Sequence, residues 1–331
     1  MIITRTPFRI SFFGGGTDYP QWFQDHDGAV LSTTIDKYCY ISCRELPPFF
    51  EHKYRIVYSQ IENVINVREI MHPSVRACLD YIGEARGYEI HHDGDLPARS
   101  GLGSSSSFTV GLLNALYGMK GKMSSKELLA KDAIYLEQEL IRENVGSQDQ
   151  VAAAFGGLNK IQFNRNGGFS VEPLILQSTR RAELNDHLML FFTGFSRIAS
   201  TVAEAQIKNL DRRQRELSTM FSMVDQAITI LQSSTESISS FGRLLHESWM
   251  LKRTLSDGVT TSEIDEIYQA AIKAGADGGK LLGAGGGGFL LIFAAPEKQA
   301  GIRQALSNLV HVPFCFEDSG SRVVLYQPNG L

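Results

Sequence analysis

The stretch Leu96-Pro-Ala-Arg-Ser-Gly-Leu-Gly-Ser-Ser-Ser-Ser-Phe-Thr-Val110 decides the fold. Two glycines followed by four serines would suit a flexible linker. The residues that follow argue otherwise. Phe108, Val110, Leu112, Leu113 and Leu116 recur at helical spacing, so an amphipathic helix over about 104–117 begins at the serines themselves. Serine is a favoured N-cap, and Gly101 and Gly103 let the backbone bend closely around an object. A glycine loop feeding a helix N-terminus gathers free N–H groups and the positive end of the helix dipole, an anion site suited to phosphate. The commoner nucleotide motifs fail here. No Gly-Lys-Ser/Thr tripeptide occurs, and the third glycine of a dinucleotide fingerprint would fall at Ser106. Gly283, Gly285 and Gly288 fit that fingerprint by letter but run into an apolar strand, Phe289-Leu-Leu-Ile-Phe293, which disfavours a Rossmann dehydrogenase.

Two further glycine segments flank this one. The first, Pro7-Phe-Arg-Ile-Ser-Phe-Phe-Gly-Gly-Gly-Thr-Asp-Tyr19, reads as a strand over 7–13 ending in a turn. Arg9 and Asp18 add polar chemistry that a simple turn does not need. Asp18 suits vicinal sugar hydroxyls, or alternatively caps a following helix. The other runs from Gly275 to Phe289 and holds eight glycines, enough for a loop that lies flat against a ligand. Glu137 and Asp149 lie twelve residues apart. A helical Glu reads by default as a surface residue. Asp149 stands among apolar residues in Gly146-Ser-Gln-Asp-Gln-Val-Ala-Ala-Ala-Phe-Gly-Gly157, where a buried carboxylate needs a partner.

Composition bounds the rest. The chain has 331 residues, 43% hydrophobic and 21% charged, with net charge −4. That balance argues against broad nucleic-acid binding. There is no apolar run long enough to span a membrane, and residues 1–9 lack the apolar core of a signal peptide. Cys39, Cys43, Cys78 and Cys315 read as reduced thiols, and the protein as cytoplasmic. Strands are predicted over 29–44, 54–58, 88–92, 158–163, 169–176, from 187, over 287–294 and near 322–327. Helices are predicted over 74–86, 125–141, 197–232, 237–256, 262–274 and 296–309. The pattern is an α+β protein of two domains, 1–183 and 184–331.

In order and spacing, the three glycine segments resemble the GHMP kinases, with Leu-Pro-x-x-x-Gly-Leu-Gly-Ser-Ser-Ser as the family's phosphate loop. The resemblance covers nearly the whole chain. It implies an N-terminal domain like ribosomal protein S5 domain 2 and a ferredoxin-like C-terminal domain, with ATP and substrate between them. It implies ATP binding by Gly101, Leu102, Gly103, Ser104, Ser105, Ser106 and Ser107. Sugar binding would fall to Gly14, Gly15, Gly16, Thr17, Asp18, Gly285 and Gly286. Catalysis would use Asp149 and Arg9, and Mg²⁺ would sit on Ser105 and Glu137, with Ser104 or Ser106 replacing Ser105 if the register slips by one. Galactokinases carry Glu-His where this chain has Gly15-Gly16, which puts galactose itself in doubt.

The segments Arg9–Pro20, Gly28–Tyr38 and Leu96–Phe108 are similar, more narrowly, to bacterial D-glycero-D-manno-heptose 7-phosphate kinases. This implies phosphorylation of a small sugar phosphate at the anomeric O1. Asp36 and Lys37 belong to that match. Arg99, Arg197, Lys37 and Lys280 are candidates for the 7-phosphate. Another sugar such as fucose, a small alcohol, or a non-catalytic sensor on the same fold are the alternatives. Monomer and homodimer both remain open.

Overall fold

The computed structural model describes residues 1–83, 86–194 and 199–328. Among these residues, nine strands form one sheet and four form another. The main path of the large sheet runs Arg322–Tyr326, Ile2–Phe13, Gly28–Glu45, Tyr88–Gly94, Tyr54–Val57, Ile61–Val64. Its spine is the 18-residue strand Gly28–Glu45. Along most of its length that strand pairs antiparallel with Ile2–Phe13. Its far edge is shared: Gly28–Ser32 pair with Asn159–Phe163, and Cys39–Glu45 with Tyr88–Gly94.

The first strand begins at Ile2, five residues before the sequence reading places it. Pro7 lacks an N–H and reads as a strand boundary. It sits instead where the register slips between Pro7 and Phe8, a bulge that needs no ladder bond from it. The strand bulges again between Ser11 and Phe13, just before the glycine turn.

The helix Ser104–Met119 lies across the first two strands, and every residue from Ser106 to Met119 is buried. The remaining helices follow the predicted stripes with corrected ends. Helix Pro73–Ile82 stops at Gly83, whose left-handed φ of 65° caps it four residues early. The predicted helix 125–141 is α-helical over Lys126–Tyr135 and then widens to a π-helical turn at Leu136–Leu140. The predicted 197–232 helix is two, Ala199–Asn209 and Gln214–Gln232, joined by a 3₁₀ turn over Leu210–Arg213.

The small sheet is antiparallel, in the order Val310–His311, Leu188–Phe192, Phe289–Phe293, Gly278–Leu281. Helix Gln214–Gln232 buries Leu217, Met220, Val224, Ala227 and Leu231. Through Leu217 and Val224 it covers the first glycine turn. Phe241 meets Phe12 and Phe13 edge-on at 5.5 and 5.2 Å and also packs on Phe293, so one hydrophobic core joins the two sheets. The strands Phe316–Glu317 and Arg322–Tyr326 return to the large sheet, so that sheet takes strands from both ends of the described chain.

Candidate active site

Three of the four serines have distinct tasks. Gly103, with a left-handed φ of 74°, holds the N-cap position assigned above to serine. Ser104 Oγ accepts the backbone N–H of Arg99 at 3.0 Å and closes the loop on itself. Ser107 Oγ donates to the Pro7 carbonyl at 2.9 Å and ties the helix to the first strand. Ser106 Oγ, buried, donates to Glu137 Oε2 at 2.8 Å. Ser105 is exposed. The serine paired with Glu137 is therefore Ser106, one residue beyond the expected Ser105. Helical geometry explains the slip: residues 105 and 106 point about 100° apart, so only one faces Glu137. Leu102 is fully buried and joins the loop to the sheet by accepting the Arg9 N–H.

Glu137 lies in the π-helical turn, a feature often found at functional sites. It is fully buried and also accepts a hydrogen bond from Gln150. Burial pushes its carboxyl up to about 7, opposed by the neighbouring Thr109 and Ser106 hydroxyls and the Gln150 amide. Its second oxygen, Oε1, is buried with no hydrogen-bond partner among the described residues.

Arg9 and Asp149 meet as expected. Arg9, 5% exposed, grips the carboxylate with both arms of its fork, Nε to Oδ1 at 2.7 Å and Nη2 to Oδ2 at 2.8 Å. Its third nitrogen, Nη1, donates to the Gly101 carbonyl. Asp149 lies in the first turn of helix Gln148–Phe155, where the helix dipole favours an anion. A methyl group placed on Gly103 would stand 3.4 Å from Asp149 Oδ2, so the phosphate loop and this carboxylate are neighbours.

Asp18 is buried beside them. Burial, and then the nearby Asp149, push its carboxyl up; hydrogen bonds from the Gly16 backbone and the Gln148 side chain oppose that. Asp18 is not a helix cap, since Tyr19 holds that position. Thr17, expected as a sugar ligand, is fully buried and knits the turn together: its hydroxyl donates to the Gly14 and Ala29 carbonyls.

The third glycine segment differs from expectation. A Cβ on Gly101 would lie 2.6 Å from the Leu282 carbonyl, and one on Gly288 would lie 2.4 Å from that of Ser100. These glycines let two loops pack backbone on backbone, and Phe289 donates across to Ser100. Gly285 and Gly286 are set on Val259, whose carbonyl accepts the Gly286 N–H.

Two buried lysines stand behind this loop. Lys280 Nζ donates to the Phe12 carbonyl at 2.7 Å, and Lys252 Nζ donates to the carbonyls of Leu281 and Gly283. Both feel the charges of Arg9 and Asp18. Of the other basic candidates, Lys37 pairs with Asp36, Arg99 lies near Glu143 and His72, and Arg197 falls outside the described residues. Sequence reasoning missed Lys252, Gln148 and Gln150. The two glutamines flank Asp149, a position that could have drawn attention, whereas Lys252 carries no motif.

Comparison with known proteins identifies the family. Residues 69–157 match the GHMP kinases N terminal domain and residues 227–311 the GHMP kinases C terminal domain. A D-glycero-alpha-D-manno-heptose 7-phosphate kinase of Campylobacter jejuni is 30% identical over 318 residues, 92% of this chain and 93% of that protein. A bifunctional fucokinase/GDP-fucose pyrophosphorylase of Arabidopsis thaliana is 26% identical over 91% of this chain, which spans 31% of that larger protein. Among solved structures, a D-glycero-D-manno-heptose 1-phosphate kinase from Bacteroides thetaiotaomicron shares the fold, with a TM-score of 0.79 over 98% of both chains at 23% identity. The chain belongs to the GHMP kinase family: it is an ATP-dependent phosphotransferase whose acceptor is a sugar or alcohol group.

Proposed function

We propose that the protein transfers the γ-phosphoryl group of ATP to the anomeric O1 of D-glycero-D-manno-heptose 7-phosphate, giving the 1,7-bisphosphate. The observation that carries the chemistry is the two-point grip of Arg9 on Asp149, set against Gly103 at the start of the phosphate-loop helix. Phosphoryl transfer depends chiefly on positioning and charge stabilisation. Asp149 accepts the proton of the attacking hydroxyl. Arg9 fixes the orientation of that carboxylate and adds positive charge near the reacting oxygens. Backbone N–H groups at 103–106 hold the phosphates, and Asp18 with the turn at 14–16 holds the sugar. The choice of acceptor rests on the Campylobacter relative.

The residues present fit a Mg²⁺ ion. Glu137 Oε1 is a buried carboxylate oxygen with no partner among the described residues, and Ser106 supplies a hydroxyl beside it. Such an oxygen set suits a hard divalent cation. Glu137 and Ser106 would hold it, and when bound it would neutralise phosphate charge.

A screen of hexoses, heptoses and their phosphates, with ADP release measured and the product position read by NMR, tests the reading. Heptose 7-phosphate should be turned over well and at O1, and the same heptose without its phosphate poorly. Equal rates on the two would remove the 7-phosphate from the proposal. Faster turnover of fucose would favour the reading suggested by the Arabidopsis relative.

A further inference from the structure

We propose that Lys252 is a positioning residue for phosphoryl transfer: its buried ammonium fixes the loop that backs the phosphate loop and lends positive charge to the reacting centre without touching either substrate. It rests on the reading above that places Arg9 and Asp149 at that centre, and not on the choice of heptose as acceptor. Lys252 closes helix Ser239–Lys252 and is 6% exposed; its neighbour Lys280, on strand Gly278–Leu281, is 3% exposed. Neither forms an ion pair among the described residues. Their hydrogen bonds go to backbone carbonyls, from Lys252 to Leu281 at 3.2 Å and to Gly283, and from Lys280 to Phe12 at 2.7 Å. A buried charge ordinarily stands against an opposite one. The negative end of its helix helps Lys252. Of the charges that face it, Arg9 on the first strand and Lys280 press with like sign, and Asp18 on the turn draws the other way. A well-packed methionine would avoid the cost, so the ammonium stands there at the expense of stability.

What the ammonium supplies is placement and charge. The two carbonyls that Lys252 holds flank Leu282, whose own carbonyl would lie 2.6 Å from a Cβ on Gly101. The Gly101 carbonyl accepts Arg9 Nη1, and Arg9 grips Asp149. A single chain of contacts thus runs from Lys252 through the phosphate loop to the carboxylate proposed to take the proton. Lys280 backs the acceptor side in the same way, because the Phe12 carbonyl lies two residues before Gly14, where the glycine turn leading to Asp18 begins. A phosphoryl group transferred beside Asp149 and Asp18 brings negative charge toward two carboxyl groups. Arg9 answers that charge at contact distance. Lys252 answers it from behind the loop, through a dry interior where charge acts farther than in water. Lys252 keeps its proton up to about 8, so it is positive at neutral pH.

The test is steady-state kinetics from pH 7 to pH 9.5, with ATP, Mg²⁺ and whichever sugar, sugar phosphate or small alcohol the wild type turns over fastest. Wild-type kcat should fall as pH rises through about 8, where the ammonium is lost. Lys252→Met should melt no lower than wild type at pH 7, keep both KM values within threefold, lower kcat about tenfold or more, and lack that fall. Lys252→Arg stays charged at every pH used, so its kcat should hold to pH 9.5. A lysine with a merely structural role would lower the melting temperature and raise both KM values with the pH profile unmoved, which overturns the inference. So does a wild-type kcat that is flat across pH 8, a Lys252→Met kcat within twofold of wild type at pH 7, or the same fall in either variant. Should Lys252→Met fail to fold, the wild-type and Lys252→Arg profiles still decide. Asp149→Asn, measured alongside, separates the two readings. Near-wild-type turnover there overturns the reacting centre and this inference with it; an inactive Asp149→Asn beside an unimpaired Lys252→Met overturns this inference alone.

Discussion

Asp149 is held by three constraints: the two arms of Arg9 and the start of a helix. Replacing it with Asn keeps the shape and removes the proposed base. Positioned bases contribute ~10²–10⁴-fold, so Asp149→Asn should lower kcat by about that factor while the KM for ATP barely moves. Near-wild-type turnover would show that the proton goes elsewhere. The serine register gives a second comparison. Ser106→Ala should raise the Mg²⁺ concentration needed for half-maximal rate, and Ser105→Ala should not. The reverse result would return the metal to Ser105.

Lys252 gives a prediction about pH. Burial pushes its ammonium down to about 8 from an ordinary 10.5, with Arg9 adding to the effect and Asp18 opposing it. The folded chain therefore releases this proton at lower pH than the unfolded chain. Between about 8 and 10.5 the unfolded chain holds more protons, so this group's contribution makes stability rise with pH. Lys252→Met should reduce that rise, measured as the change in denaturation midpoint between pH 7 and pH 9.5. Lys280, displaced in the same direction, retains part of it. At this scale the sequence made Arg9 and Asp149 legible as a pair because each stands in a motif. It hid Ser106 because four identical serines carry no mark of which one faces inward.

Among the elements, the loops show why residues without side chains matter. A Cβ on Gly146 would stand 1.9 Å from Asp18 Oδ2. Gly146→Ala should therefore displace Asp18, raising the acceptor KM and leaving ATP binding largely intact; equal losses on both substrates would argue for general damage. Helices were legible where apolar residues kept a 3.6-residue period, as at 104–119 and 214–232. Their ends were not. The π-helical turn at 136–140 keeps the apolar period while altering the backbone, and only tertiary packing reveals it. The third glycine segment was legible as a loop able to lie flat against something else. Its partner was not, because backbone-on-backbone contact between Gly101 and Leu282 leaves no trace in side-chain pattern.

Across the whole molecule, Phe12, Phe13, Phe241 and Phe293 share one core, and Lys280 reaches from the small sheet to the Phe12 carbonyl of the large one. Calorimetry should therefore show a single cooperative transition; two separate transitions would mean that the sheets melt independently. The sequence changes from strand-rich to helix-rich near residue 187, between the segments that match the family's N-terminal and C-terminal domains. The return of Arg322–Tyr326 to Ile2–Arg5 was not legible, because pairing across some 320 residues has no local signature. That return has a consequence for synthesis. Ile2–Phe13 is made long before Arg322–Tyr326 and must wait, with one edge uncovered, until that partner follows. An unpaired edge is an invitation to wrong pairing, and such waiting intermediates are where aggregation begins. The uncovered edge of Ile2–Phe13 is thus where a holding chaperone would protect the chain until Arg322–Tyr326 is made.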